Sequence, residues 1–154
     1  SLLALLLLCS PVHARVDPGT GDLIGAARQY ATVEIDQDED CGLGWMGAYT
    51  LSQRRIDICT GGDWDAEDHD TVRHEVWHLI QHCSVGFNSP LEPVLKRKEL
   101  YAWLDRVMTT EQIRFYSDAY HPAVLDAELE AYAAAFTFSA AQIEEILHKT
   151  CGQP

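Results

Sequence analysis

The spacing of hydrophobic and polar positions changes several times along this chain, and each change predicts an element. From Val72 to Cys83 the apolar residues Val72, Val76, Trp77, Leu79, Ile80 and Cys83 gather on one arc at about 100° per residue, which predicts an amphipathic helix. His74, Glu75, His78, Gln81 and His82 fall on the other side, and none interrupts the apolar stripe. Upstream the period shortens to two. In Arg55–Cys59, Ile56 and Ile58 share one face while Arg55 and Asp57 take the other. Trp45–Leu51 reads as its partner strand, joined through Ser52-Gln53-Arg54, and Thr32–Ile35 as a further short strand after a short helix over Leu23–Tyr30. Past Gly86, which ends the central helix, helical spacing returns over Pro93–Met108 through Val94, Leu95, Leu100, Tyr101, Leu104, Val107 and Met108. Thr109 and Gln112 have capping-box spacing, as do Ser139 and Gln142, and the second box opens a last helix with Ile143, Ile146 and Leu147 inward. Pro122 suits the first turn of a helix running to about Phe136. The predicted class is α+β and mostly helical, with a short N-terminal β-hairpin or sheet packed on the central helix.

Acidic residues crowd two places. Glu67, Asp68 and Asp70 precede the central helix, where they suit the positive end of its dipole, and Asp68 or Asp70 is the expected N-cap. No second metal is needed to explain them. The other cluster, Asp36–Asp40, invites comparison with a calcium loop, which needs Gly at its sixth position and Glu at its twelfth. Counting from Asp36, those positions hold Cys41 and Gly47, so a solvated acidic loop is expected.

Candidate chemistry lies on the polar side of the central helix. Residues four apart stack on one helical face, so His74 and His78 can aim two imidazoles at one point, as a tetrahedral metal requires. Glu75 lies beside them, placed to take a proton from water. The alternative is a surface helix with scattered histidines. Against it stands the clean separation of these residues from the apolar stripe.

This His74-Glu75-x-x-His78 sequence resembles the zincin metallopeptidases. The resemblance implies a small zincin-like fold, a Zn2+ cofactor, Glu75 as general base and a peptide or protein substrate. It also implies that the strand before the metal helix, Arg55–Ile58, lies at the cleft edge and pairs with extended substrate. An ordinary hairpin covering the core is the alternative. A third ligand is expected on the helix from Pro122, where Glu128 falls amid an arc of Val124, Leu125, Ala131, Tyr132 and Ala135 while Asp126 and Glu130 fall opposite. A carboxylate in an apolar stripe is costly unless paired or bound to metal. Glu128-Leu129-Glu130-Ala131 also resembles the glutamate helix of gluzincins, so the expected metal set is His74, His78 and Glu128, with Glu130 in reserve. The alternative places Glu128 against an arginine or at the edge of the stripe. The third histidine of the metzincin type is missing; His82 lies one turn beyond His78, too far along to share an ion easily. Tyr120, His121 and Tyr132 are candidate donors to a reaction oxyanion, with His121 taken as the catalytic one beside Glu75.

Composition narrows the setting. A chain of 154 residues makes one domain, and a formal charge of −13 argues against nucleic acid or an anionic membrane surface as partner. Leu2–Cys9 followed by Ser10-Pro11-Val12-His13-Ala14 reads as a signal peptide over 1–14, cut after Ala14, its start lying upstream of Ser1. That run is too short to span a bilayer, so an integral membrane protein is not expected. The leftover domain, 15–154, carries Cys41, Cys59, Cys83 and Cys151, for which pairs Cys41–Cys59 and Cys83–Cys151 are favoured in a secreted or periplasmic protein. The expected activity is zinc-dependent peptide hydrolysis. Amide hydrolysis in cell-wall crosslinks would use the same site, and an inactive binding module would have no physical need of Glu75.

Overall fold

The computed structural model describes residues 16–153; the expected signal segment lies outside them. In chain order the elements are α1 (Thr20–Ala27), β1 (Thr32–Ile35), β2 (Gly47–Thr50), β3 (Arg55–Ile58), α2 (Ala66–Val85), α3 (Arg97–Val107), α4 (Thr110–Ala119), α5 (Pro122–Thr137) and α6 (Ala140–Cys151). The fold is α+β and mostly helical, as its periodicity predicts. Among the described residues, no helix is long and apolar enough to cross a membrane.

The small sheet has the order β1-β3-β2, with β3 parallel to β1 and antiparallel to β2. Ile56 and Ile58 point into the core, and on the opposite face Arg55 chelates Asp57 through Nε and Nη2. One expectation is corrected here. Arg55–Ile58 is the middle strand, bonded on both sides, so it has no edge to offer. The sheet edge on the helix side belongs to β2, whose Gly47 pairs with Ile58 and Tyr49 with Ile56.

Helix α2 organises the remainder. It packs against β2, β3, α5 and α6, and every residue from Val72 to His82 is buried. The polar side predicted for it is thus turned toward protein, not solvent. Its start is also corrected. Asp65 is the N-cap, accepting from the backbone N–H of Glu67 and Asp68, while Asp68 returns a carboxylate to the Asp65 N–H. Among several acids in a row, the one in extended backbone just before the first turn takes the cap. Both predicted capping boxes, at Thr109 and Ser139, are present. The third helix starts later than expected, at Arg97, because residues 93–96 form a bent strap whose Val94 and Leu95 N–H groups are held by the Glu130 carboxylate.

Two disulfides, Cys41–Cys59 and Cys83–Cys151, clamp this frame. The first ties the acidic loop to the end of β3; the second joins the last turns of α2 and α6. A buried ion pair does the same for the N-terminal segment. Arg73, fully buried, donates to Asp17 at 3.2 Å, to the Ala135 carbonyl at 3.1 Å and to Asp70. Asp17 also accepts from the Ala140 N–H at 2.7 Å. The junction of α5 and α6 is thereby locked to the turn of α2 just before His74.

Candidate metal centre

Two helices and one strand build the site. His74 and His78, one turn apart on α2, bring their Nε2 atoms to 3.1 Å from each other. From α5, Glu128 places Oε2 at 3.2 Å from His74 Nε2 and 3.4 Å from His78 Nε2. Small residues of α5 at the contact, Ala127, Ala131 and Ala135, are buried and allow the two helices to approach closely. The three donor atoms therefore form a nearly equilateral triangle. A regular tetrahedron with bonds of about 2.0–2.1 Å has edges of about 3.3–3.4 Å, so the triangle fits one face around a small cation. The structure brings together the predicted His74, His78 and Glu128, and the buried His74–Glu75–His78 group could hold a metal ion.

Electrostatics favour a positive charge at this point. Burial opposes ionisation of Glu128, but hydrogen bonds and charge from His74 and His78 outweigh it and hold the carboxyl well below its usual range. Burial disfavours a charged His78, yet its hydrogen bond to Glu128 and the Glu75 and Glu128 carboxylates push its pKa up. Glu75 goes the other way: burial raises it, Glu128 adds to the rise, and the two histidines only partly oppose. Raised values at Glu75 and His78 mean that protons are held tightly where two carboxyl groups and two imidazoles are confined together, and a bound cation would have to displace them.

The site floors a cleft of about 660 Å³. One wall is β2 with Trp45 and Met46 before it; the facing wall is aromatic, with Phe115, Tyr116, Tyr120, Tyr132 and Phe136. Gly47 is the point of closest approach. A Cβ there would lie 2.6 Å from Thr71 Cγ2 and 3.2 Å from Glu75 Oε1, so only glycine lets the strand press on Glu75. In the antiparallel ladder Met46 accepts from Cys59, so the alternate residues Gly47 and Tyr49 turn their main-chain groups to the free edge. Among the described residues lining the cleft, the ionisable side chains include Glu67, Asp70, Glu75 and Glu128 but no lysine or arginine.

Other predicted residues lie elsewhere. His121 is the exposed N-cap of α5, its Nδ1 accepting from the Ala123 N–H, and it does not line the cleft. His82 stays out of the triangle; its Nδ1 is 2.6 Å from the Tyr49 hydroxyl, and burial lowers its pKa. Glu130 corrects the periodicity of α5. It is not opposite the core but fully buried, accepting from Trp77, Gln81, Val94 and Leu95. Helix α5 is surrounded by α2, α3 and α4, so a single apolar arc does not describe it. The composition carries that signal, in the alanines at 131 and 133–135 that pack on several sides at once.

Sequence reasoning weighed Tyr120 and Tyr132 but missed how they are joined. Their hydroxyls are 2.9 Å apart, Tyr132 stacks on Tyr116 at 4.0 Å, and its ring centroid lies 4.2 Å from that of His74. Burial pushes both phenols up, so each keeps its proton near neutrality; one hydroxyl donates to the other, and the accepting one has its own O–H left to donate. His74 and His78 also differ in their support. His78 Nδ1 is 2.8 Å from Gln81 Oε1, whereas His74 Nδ1 is buried and finds no hydrogen-bond partner among the described residues. No family model matches this chain, and neither a curated protein nor a solved structure does.

Proposed function

We propose that this protein is a zinc-dependent peptidase acting outside the cytoplasm, with His74, His78 and Glu128 as metal ligands. The observation that carries the proposal is the triangle of donor atoms, with sides of 3.1, 3.2 and 3.4 Å, set beside the buried Glu75 at the floor of an open cleft. Two imidazoles and one carboxylate are a donor set that zinc favours for hydrolysis, because one position stays open. A zinc ion bound there would supply Lewis acidity toward a scissile carbonyl and toward the attacking water.

The chain's own groups take the remaining roles. Glu75, with its pKa raised by burial, accepts the proton of the attacking water and passes it to the leaving amine. The Tyr120–Tyr132 pair replaces His121 as the candidate donor to the developing oxyanion, since both residues line the cleft and the pair keeps one O–H beyond the bond between them. The free edge of β2 offers the N–H and C=O groups of Gly47 and Tyr49 to an extended peptide, which would add as a further strand. Edge-strand pairing with substrate thus moves from Arg55–Ile58 to β2. The two disulfides support a secreted or periplasmic setting.

The test is hydrolysis of unfolded, fluorescence-quenched casein by the purified protein. Cleavage should occur with zinc bound, cease after metal is stripped by a chelator and return when zinc is restored. Cleavage indifferent to chelation, or none with zinc in the site, would exclude a metallopeptidase acting on unfolded protein.

A further inference from the structure

Among the described residues the fully buried Glu130 carboxyl has no ion-pair partner, and four N–H groups donate to it instead. Oε2 accepts from Trp77 Nε1 at 3.1 Å, Gln81 Nε2 at 2.8 Å and the Val94 N–H at 2.9 Å, while Oε1 accepts from the Leu95 N–H at 2.8 Å. Gln81 Nε2 has a second acceptor, the Ala127 carbonyl, at 2.9 Å. A carboxylate and a carbonyl can only accept, so the amide nitrogen of Gln81 must face them both. Its oxygen is therefore turned to His78 Nδ1, 2.8 Å away, and that nitrogen must carry the proton. A neutral imidazole has one N–H, so the lone pair of His78 is left on Nε2, the atom that faces His74 and Glu128.

We infer that Glu130 and Gln81 form a positioning relay, in which the buried carboxylate orients the amide and the amide fixes the tautomer and ring direction of His78 for a metal ion. Glu130 touches neither the triangle nor a substrate, so it is not a catalytic residue. The same carboxylate holds the strap at residues 94–95. His74 Nδ1 has no such partner among the described residues. The inference rests on the metal site proposed above.

It is tested by zinc affinity, measured by chelator competition on metal-stripped protein, for the parent, Gln81→Met, Glu130→Gln and the double variant. Gln81→Met keeps the volume and removes the relay. It should weaken zinc about 10–100-fold, the range found for loss of a ligand's outer partner, in protein shown by its circular dichroism to be folded, and the lost buried hydrogen bonds should lower the melting temperature of the metal-free protein as well. If Glu130 acts through Gln81, adding Glu130→Gln to Gln81→Met should cost no further affinity. Gln81→Met binding zinc as tightly as the parent would overturn the relay, and so would fully additive losses in the double variant. Should Glu130→Gln fail to fold, Gln81→Met alone decides. A parent that binds no zinc would instead overturn the metal site itself.

Discussion

Replacing Glu75 with glutamine is expected to leave metal binding intact and to lower turnover by about 10²–10⁴-fold, the range for loss of a general acid–base group. The substitution is nearly isosteric, which matters because Glu75 is pressed between the Gly47 backbone and the two histidines. An amide fills the same space but cannot accept a proton. The carboxylate's raised pKa, caused first by burial, points the same way, since a base too weak to hold a proton cannot deliver one to a leaving amine. The check is steady-state hydrolysis beside metal content for parent and variant. Equal turnover would remove Glu75 from the chemistry. A protein that binds a ligand without transforming it would be indifferent to the change.

The second large effect is expected at Glu128. Glu128→Ala should weaken zinc by more than about 10³-fold, beyond the ~10–100-fold cost of losing an outer partner, because it deletes a donor atom. Losing the Glu128 charge also lets the His78 pKa fall, which eases proton competition there, so the loss expected is that of the donor atom and its charge on the metal. The metal-free variant should fold, since Glu128 is only partly buried and its bonds run to the histidines alone. Affinity by chelator competition is the measurement. Binding as tight as the parent's would remove Glu128 from the ligand set.

What could be read from the sequence was local. His74 and His78 share a face because a helix repeats every 3.6 residues, and nothing distant alters that. The capping boxes at Thr109 and Ser139 are likewise short-range geometry. What failed depended on the third dimension. The zincin resemblance implies an edge position for Arg55–Ile58, yet the order β1-β3-β2 places it between two partners. Nothing within residues 55–58 encodes that order. A single apolar arc places Glu130 opposite the core, whereas α5 is packed on several sides and Glu130 is enclosed. Asp65 beat Asp68 and Asp70 to the N-cap because backbone angle, not acidity, decides among neighbouring acids. Nothing in the sequence ranks His121 against Tyr120 and Tyr132 as a donor, and the fold makes its ring the cap of α5. The tyrosine pair could not be read, since Tyr120 lies before α5 and Tyr132 deep within it, and only the fold joins their hydroxyls.

The most direct test of the central claim is X-ray absorption at the zinc edge of the zinc-loaded protein. Convergence of His74, His78 and Glu128 on one ion predicts nitrogen and oxygen neighbours at about 2.0–2.1 Å, with multiple scattering from two imidazoles and no sulfur. A sulfur shell, or scattering from fewer than two imidazoles, would contradict it.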